Sequence, residues 1–284
     1  MMFRRILFGL LFCCAGTFIS CAQGTQSDKG IFESYLNSVQ TVDKLCSDIL
    51  MDETAKFFLG VPYVGKTLEY EPERLIVNLR EMDCMTFVEN VLALAEASAS
   101  GTPSWQTYLE KLQQIRYRDG KIEDYTSRLH YTSDWIYENE KKGLIADITK
   151  EIGGVPLAMD VSFVSTHPES YMQLQSHPEY IAVMAKKEKE INSRQYYYIP
   201  KEEIDKQEAQ IRTGDIVCFV TSIKGLDISH VGIVHKEGDK MTFIHASSGK
   251  KRVIINEESL QDYVLGIKKS KGIMVLRPQF VTER

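Results

Sequence analysis

Three short segments carry residue types able to do nucleophilic chemistry: Asp83-Cys84-Met85-Thr86-Phe87-Val88-Glu89, Ser229-His230-Val231-Gly232-Ile233-Val234, and Phe243-Ile244-His245-Ala246-Ser247. Acyl transfer by sulfur needs a thiolate, a base to take its proton, and a third group that holds the base in the useful tautomer. Cys84, His230 and His245 can between them supply all three. No metal or organic cofactor is required by such chemistry.

Each of these side chains needs an element to aim it. Asp83 is a good helix N-cap, and Phe87, Val88, Val91, Leu92 and Ala95 follow at three- and four-residue spacing. A helix is therefore expected to begin with Cys84 in its first turn, where free backbone N–H groups favour an ionised sulfur. The stretch from Gly214 to Leu276 reads as an antiparallel meander of five strands: one opening at Gly214-Asp215, then His230–His235, Met241–Ala246, Val253–Asn256 and Ile273–Leu276. If Lys236 faces Met241 across the Glu237-Gly238-Asp239-Lys240 turn, paired positions sum to 477 and His245 lies opposite Gly232. His230 and His245 then become diagonal neighbours on one face, with the side-chain-free Gly232 leaving room between them. A slip of one residue would separate them onto opposite faces. His235 faces the other side in this register and reads as a structural, hydrogen-bonded histidine.

The remaining cysteines and the start of the chain bear on compartment. Arg4-Arg5, an apolar run from Ile6 to Ile19 and Ser20-Cys21-Ala22 form a pattern expected of a secretory signal, with residues 1–20 removed. Phe18-Ile19-Ser20-Cys21 resembles a bacterial lipoprotein box with Phe18 where leucine is usual, so Cys21 is the expected lipidation site and 21–30 a linker. An ordinary signal-peptidase cut also fits. The expected location is the bacterial periplasm, anchored to a membrane by lipid. Cys46, placed with Val42, Leu45 and Ile49 on the apolar face of a helix, and Cys218, inside Ile216–Val220, read as core thiols. Whether they pair is not readable from sequence. The net charge of −5 becomes −7 once Arg4 and Arg5 leave, and an acidic body without a basic patch argues against nucleic acid as a partner.

Taken together, these segments resemble the NlpC-type papain-like cell-wall cysteine peptidases, whose three motifs occur in the same chain order. More narrowly, Asp-Cys-x-Thr-Phe-Val-Glu, the run from Gly60-Val61-Pro62-Tyr63 to Thr67-Leu68-Glu69, and Arg128-Leu129-His130-Tyr131 with Trp135 resemble the N-acetylmuramoyl-L-alanine amidase-like branch. The resemblance implies an α+β papain-like fold, with the nucleophile at a helix N-terminus packed on an antiparallel sheet. It also implies Cys84 as nucleophile, His230 as base and His245 as orienting residue, with Tyr63 beside them. Peptidoglycan fragments are the implied substrate, cut at the muramic lactyl to L-alanine amide. Arg128, His130, Tyr131 and Trp135 are expected to contact the sugar or the stem-peptide carboxylates. A stem-peptide endopeptidase, a non-catalytic wall-binding lipoprotein and a zinc site on Cys84, His230 and His245 are the alternatives.

Residues 31–284 are expected to form one catalytic domain. Cys84 and His230 lie 146 positions apart, more than a compact member of the family needs. The surplus, about residues 100–211, is expected to be a mostly helical insertion walling the cleft, with helices around Trp105–Ile115, after Thr132-Ser133-Asp134, and over Glu179–Ile191. His167 and His177, each before a proline, read as bystanders. Tyr196-Tyr197-Tyr198 reads as a half-buried strand, and the charge runs 186–190 and 201–208 as solvated surface.

Overall fold

A computed structural model describes residues 27–43 and 46–280; the leader and Cys21 lie outside the described residues. The chain runs through α1 (Asp28–Ser38), α2 (Ser47–Phe57), α3 (Cys84–Ala99), α4 (Trp105–Arg116) and α5 (Thr132–Lys141), then β1 (Ile145–Asp147) and β2 (Val155–Leu157). Three helices follow, α6 (Phe163–Thr166), α7 (Met172–Ser176) and α8 (Glu179–Asn192), before β3 (Tyr196–Pro200). The C-terminal part supplies β4 (Ile216–Thr221), β5 (Ile228–Glu237), β6 (Lys240–Ser247), β7 (Arg252–Ile255), α9 (Leu260–Gly266) and β8 (Ser270–Pro278).

The strands form one mixed-order sheet, β2-β3-β8-β4-β5-β6-β7, with β1 also on β8, and every pairing is antiparallel. The β5–β6 register matches expectation, with Lys236 opposite Met241 and Ile233 opposite Ile244. The turn closes on Gly238, whose φ of 60° suits a residue without Cβ. Only four strands form the meander. β8 does not continue it: α9 carries the chain back across the sheet, and β8 enters between β3 and β4.

Alternation along the strands splits the core into two layers. Cys218, Val231, Ile233, Ile244 and Ala246 pack with α3 on one side. Val217, Phe219, Val234, Phe243 and Val275 pack with Leu260 and Val264 of α9 on the other. Helix α3 is almost wholly sunk, with Phe87, Val91, Leu92 and Leu94 at 0% exposure. Each such side chain contributes about 1.5–3 kcal/mol of burial, so the position of the helix start is fixed from behind.

Several expectations change here. The insertion does contain α4, α5 and α8, yet it also contributes β1, β2 and β3, which extend the sheet past β8. Short strands inside a helical stretch give little periodic signal of their own. The expected linker overlaps α1, which begins at Asp28, whose carboxylate accepts from Leu79 N at 2.9 Å. Cys46 is not on a helix face; it precedes α2 as its N-cap, with its thiol donating to Asp43 at 3.4 Å, and Ile49 is 48% exposed. Leu45 lies outside the described residues. Cys46, Cys84 and Cys218 are all free thiols.

Candidate active site

Asp83 fixes Cys84 at the first position of α3 through a two-way cap. Its Oδ1 accepts from Thr86 N at 2.8 Å, while Thr86 Oγ1 accepts from Asp83 N at 2.9 Å. The backbone N–H groups of Cys84 and Met85 turn toward the sulfur, and so does that of Val231 on β5. That third donor is available because β5 and β6 part company above Ile233 and Ile244, where their ladder ends. The helix start thus meets the sheet at a gap between two strands.

His230 and His245 stand on the α9 side of that gap. His230 Nε2 lies 2.6 Å from His245 Nδ1, with the rings nearly perpendicular and 4.8 Å apart. Phe219 stacks flat on His230 at 5.6 Å, and Phe243 sits 4.5 Å from His245. Gly232 permits this approach: a Cβ there would fall 2.9 Å from Ile244 O and Phe243 Cδ2 and 3.3 Å from His245 Cβ. A cavity of about 690 Å³ opens beside the pair, with Ser229, Ser247, Asn256 and Tyr263 in its wall. Tyr63, held by Tyr63 N to Lys251 O at 2.9 Å, and Tyr263 both have hydroxyl pKa values raised by burial and then by the charge of Cys84, so they flank the sulfur.

Electrostatics in the resting site run against a ready-made thiolate. Burial pushes the Cys84 thiol up to about 12, Asp83 adds to the rise, and the N–H groups of Val231, Met85 and Cys84 offset only part of it. Burial also lowers His230 to about 4 and His245 to about 3, the latter with help from its neighbour. The resting combination near neutral pH is therefore a protonated thiol and two neutral imidazoles. Helix-start donors alone, which favour the thiolate, do not outweigh a dry environment.

The other sequence-selected residues sit elsewhere. Arg128 is 5% exposed; it donates to Leu68 O at 3.0 Å and Glu69 at 3.1 Å, and its guanidinium lies over the Tyr125 ring. His130 Nε2 is 2.8 Å from Tyr125 O, and burial lowers its pKa to about 3. Tyr131 is buried and donates to Glu188 at 2.7 Å while accepting from Val164 N, which ties α5 to α6 and α8. Trp135 is 1% exposed in the core. Tyr131 and Trp135 thus offer no surface for the expected direct sugar contact; their apolar bulk anchors α5 instead. The cavity wall comes from residues 229–267, so the insertion does not wall it. His235 faces the other side of the sheet as expected and is hydrogen-bonded there, 2.7 Å from Asp52 of α2. Sequence reading missed Tyr263, whose position depends on the return of α9, and the Val231 N–H, which no side-chain type announces. Among the described residues, no group of three or more His, Cys, Asp or Glu is arranged to hold a metal.

Residues 53–273 match the AmiA-like, N-acetylmuramoyl-L-alanine amidase-like family. The chain belongs to that family. It is 37% identical to an N-acetylmuramoyl-L-alanine amidase from Bacteroides uniformis, covering 82% of this chain and 99% of that one with a TM-score of 0.79. A Bacteroides fragilis structure carrying the name of a xylanase is 39% identical, over 79% and 99% of the two chains, at a TM-score of 0.76. A Legionella pneumophila protein shares the fold at 22% identity, 91% and 98% coverage and a TM-score of 0.66. No curated protein matches the chain. An amidase-like cell-wall hydrolase of mixed α/β architecture, with an antiparallel sheet and helices, is the assignment these matches support.

Proposed function

We propose that the protein is a cysteine amidase of the papain-like, NlpC-type kind that cleaves the N-acetylmuramoyl-L-alanine bond of peptidoglycan fragments. The observation carrying this reading is the imidazole pair: His245 engages His230 Nε2 at 2.6 Å, which leaves Nδ1 for the base's role, and Val231, the next residue along β5, turns its backbone N–H to the Cys84 sulfur.

Because the thiol starts protonated, proton transfer accompanies attack. His230 takes the Cys84 proton as the sulfur adds to the amide carbonyl, which avoids a standing charge in a dry site. Backbone N–H groups at the start of α3 receive the developing oxyanion. The imidazolium formed on His230 then gives its proton to the leaving L-alanine amine. Water, deprotonated by the same imidazole, hydrolyses the lactyl thioester and restores the thiol. His245 orients His230, and Tyr63 lines the approach. Arg128, bound to Leu68 O and Glu69, and His130, bound to Tyr125 O, act on the scaffold and not on substrate.

The signal-like leader and the box around Cys21 support an exported, lipid-anchored form in the bacterial periplasm, where muropeptides are met. Digestion of defined muropeptides followed by mass spectrometry tests the bond assignment. The reading predicts free L-alanine N-termini; a cut between D-glutamate and the diamino acid would make the protein a stem-peptide endopeptidase.

A further inference from the structure

His245 carries an unanswered hydrogen-bonding group. It is 2% exposed, its Nδ1 is engaged by His230, and its Nε2 has no partner although the residue lines the cavity. Leaving a buried polar atom unpaired is costly, so an occupant able to pair with it is favoured. The pair itself says what that occupant offers. A neutral imidazole has one N–H and one lone pair, and burial keeps both rings neutral near pH 7.

One hydrogen lies between the two rings, and only one arrangement suits catalysis. For His230 to accept a proton at Nδ1, its own hydrogen must sit on Nε2 and be donated to His245 Nδ1. The hydrogen of His245 is then on Nε2, a buried nitrogen of a residue that lines the cavity. In the opposite arrangement His245 donates from Nδ1, and His230 carries its hydrogen on Nδ1, where it is useless as a base. What His245 Nε2 meets therefore decides which pair is populated.

The wall of the cavity narrows the ligand class. Ser229, Ser247 and Asn256 are neutral and polar, and the Tyr263 ring offers a flat face. Its charges are Lys250, 3.9 Å from Glu257, together with Glu257 and Glu258, an acidic balance that repels a carboxylate-bearing stem peptide. Resting on the amidase reading above, we infer that this cavity takes the saccharide side of the scissile bond, and that a sugar hydroxyl or acetamido oxygen accepts the His245 Nε2 hydrogen. Sugar binding thereby selects the tautomer pair in which His230 is a competent base. His245 is a positioning residue that reports occupancy of the cavity to the base.

Nitrogen-15 NMR of histidine-labelled full-length Cys84→Ala protein tests this. The probe is N-acetylglucosaminyl-N-acetylmuramic acid with its lactyl carboxyl amidated, and an L-alanyl-D-glutamyl-diamino acid peptide is the second arm. The expected result is that the disaccharide, and not the peptide, moves both Nε2 atoms to protonated shifts and His230 Nδ1 to an unprotonated one. No change with the disaccharide, or the same change with the peptide, overturns the inference. Kinetics of two variants add a separate readout. A glutamine can accept from His230 and still donate to the sugar, whereas an ionised aspartate can only accept. His245→Gln should keep KM within about threefold while His245→Asp raises it about tenfold or more; equal KM values overturn the inference. Wild-type protein in the same assay separates the levels: peptide release with a silent His245 defeats this inference alone, and no release defeats the amidase reading with it.

Discussion

His230 and His235 lie five residues apart on β5, point to opposite faces of the same sheet, and live in opposite circumstances. His235 is closed in: its Nδ1 meets Asp52 at 2.7 Å, and Asp52 in turn meets Lys56 at 2.7 Å, beneath α2. His230 is held by a second histidine whose far nitrogen has no partner and whose neighbour is a cavity. A saturated network fixes structure, while an unsaturated one leaves a place for substrate. On the proposed reading one strand joins a fastening and a working site, and separate substitutions should tell them apart.

The largest contrast is expected between the two histidines themselves. His230→Ala should lower peptide release about 10²–10⁴-fold, the range for loss of a general base, with thermal melting little changed. Asp52→Ala should do the reverse, leaving kcat near wild type and lowering stability by about 1–3 kcal/mol in urea unfolding, because it strips the partner from a buried ring. If both variants lost activity and stability together, the division would fail.

Gly232→Ala tests how the working site is assembled. The added methyl meets Ile244 O, Phe243 and His245 Cβ, so a stability loss of about 1–3 kcal/mol from overpacking should come with reduced turnover. A smaller effect is expected from pH. His230 and His245 have folded pKa values of about 4 and about 3, below the usual value of about 6.5 in an unfolded chain. Between about pH 6.5 and 4 the unfolded chain binds protons that the folded one refuses, so stability should fall as pH falls through that window. Urea titrations at pH 7 and pH 4.5 would show it, and His230→Phe should reduce the difference, with His245 and His130 keeping the remainder. Smallest is the effect on labelling: with its thiol near 12, Cys84 should react with iodoacetamide at a rate that keeps rising toward alkaline pH, where a preformed thiolate would give a plateau near neutrality.

What the sequence made legible follows from how local each signal is. The start of α3 was readable because Asp83 and Thr86 cap it within four residues. The meeting of His230 and His245 was readable because a short turn at Gly238-Asp239 sets the register of everything on either side. The position of β8 was not readable, since it depends on where α9 turns the chain. The protonated state of Cys84 was hidden for a related reason: the helix start is local and the dryness around the sulfur is a sum over distant elements. Arg128, Tyr131 and Trp135 were found as a group by resemblance, yet their burial and their ties to Glu69, Glu188 and the core appear only once α5, α6 and α8 are packed.

The central claim is that the sulfur at the head of α3 performs the cleavage. Cys84→Ala protein, checked by thermal melting and incubated with a defined disaccharide-tripeptide muropeptide, tests it most directly by mass spectrometry. The account predicts a wild-type melting curve with no peptide released, whereas turnover retained at the wild-type rate would contradict it.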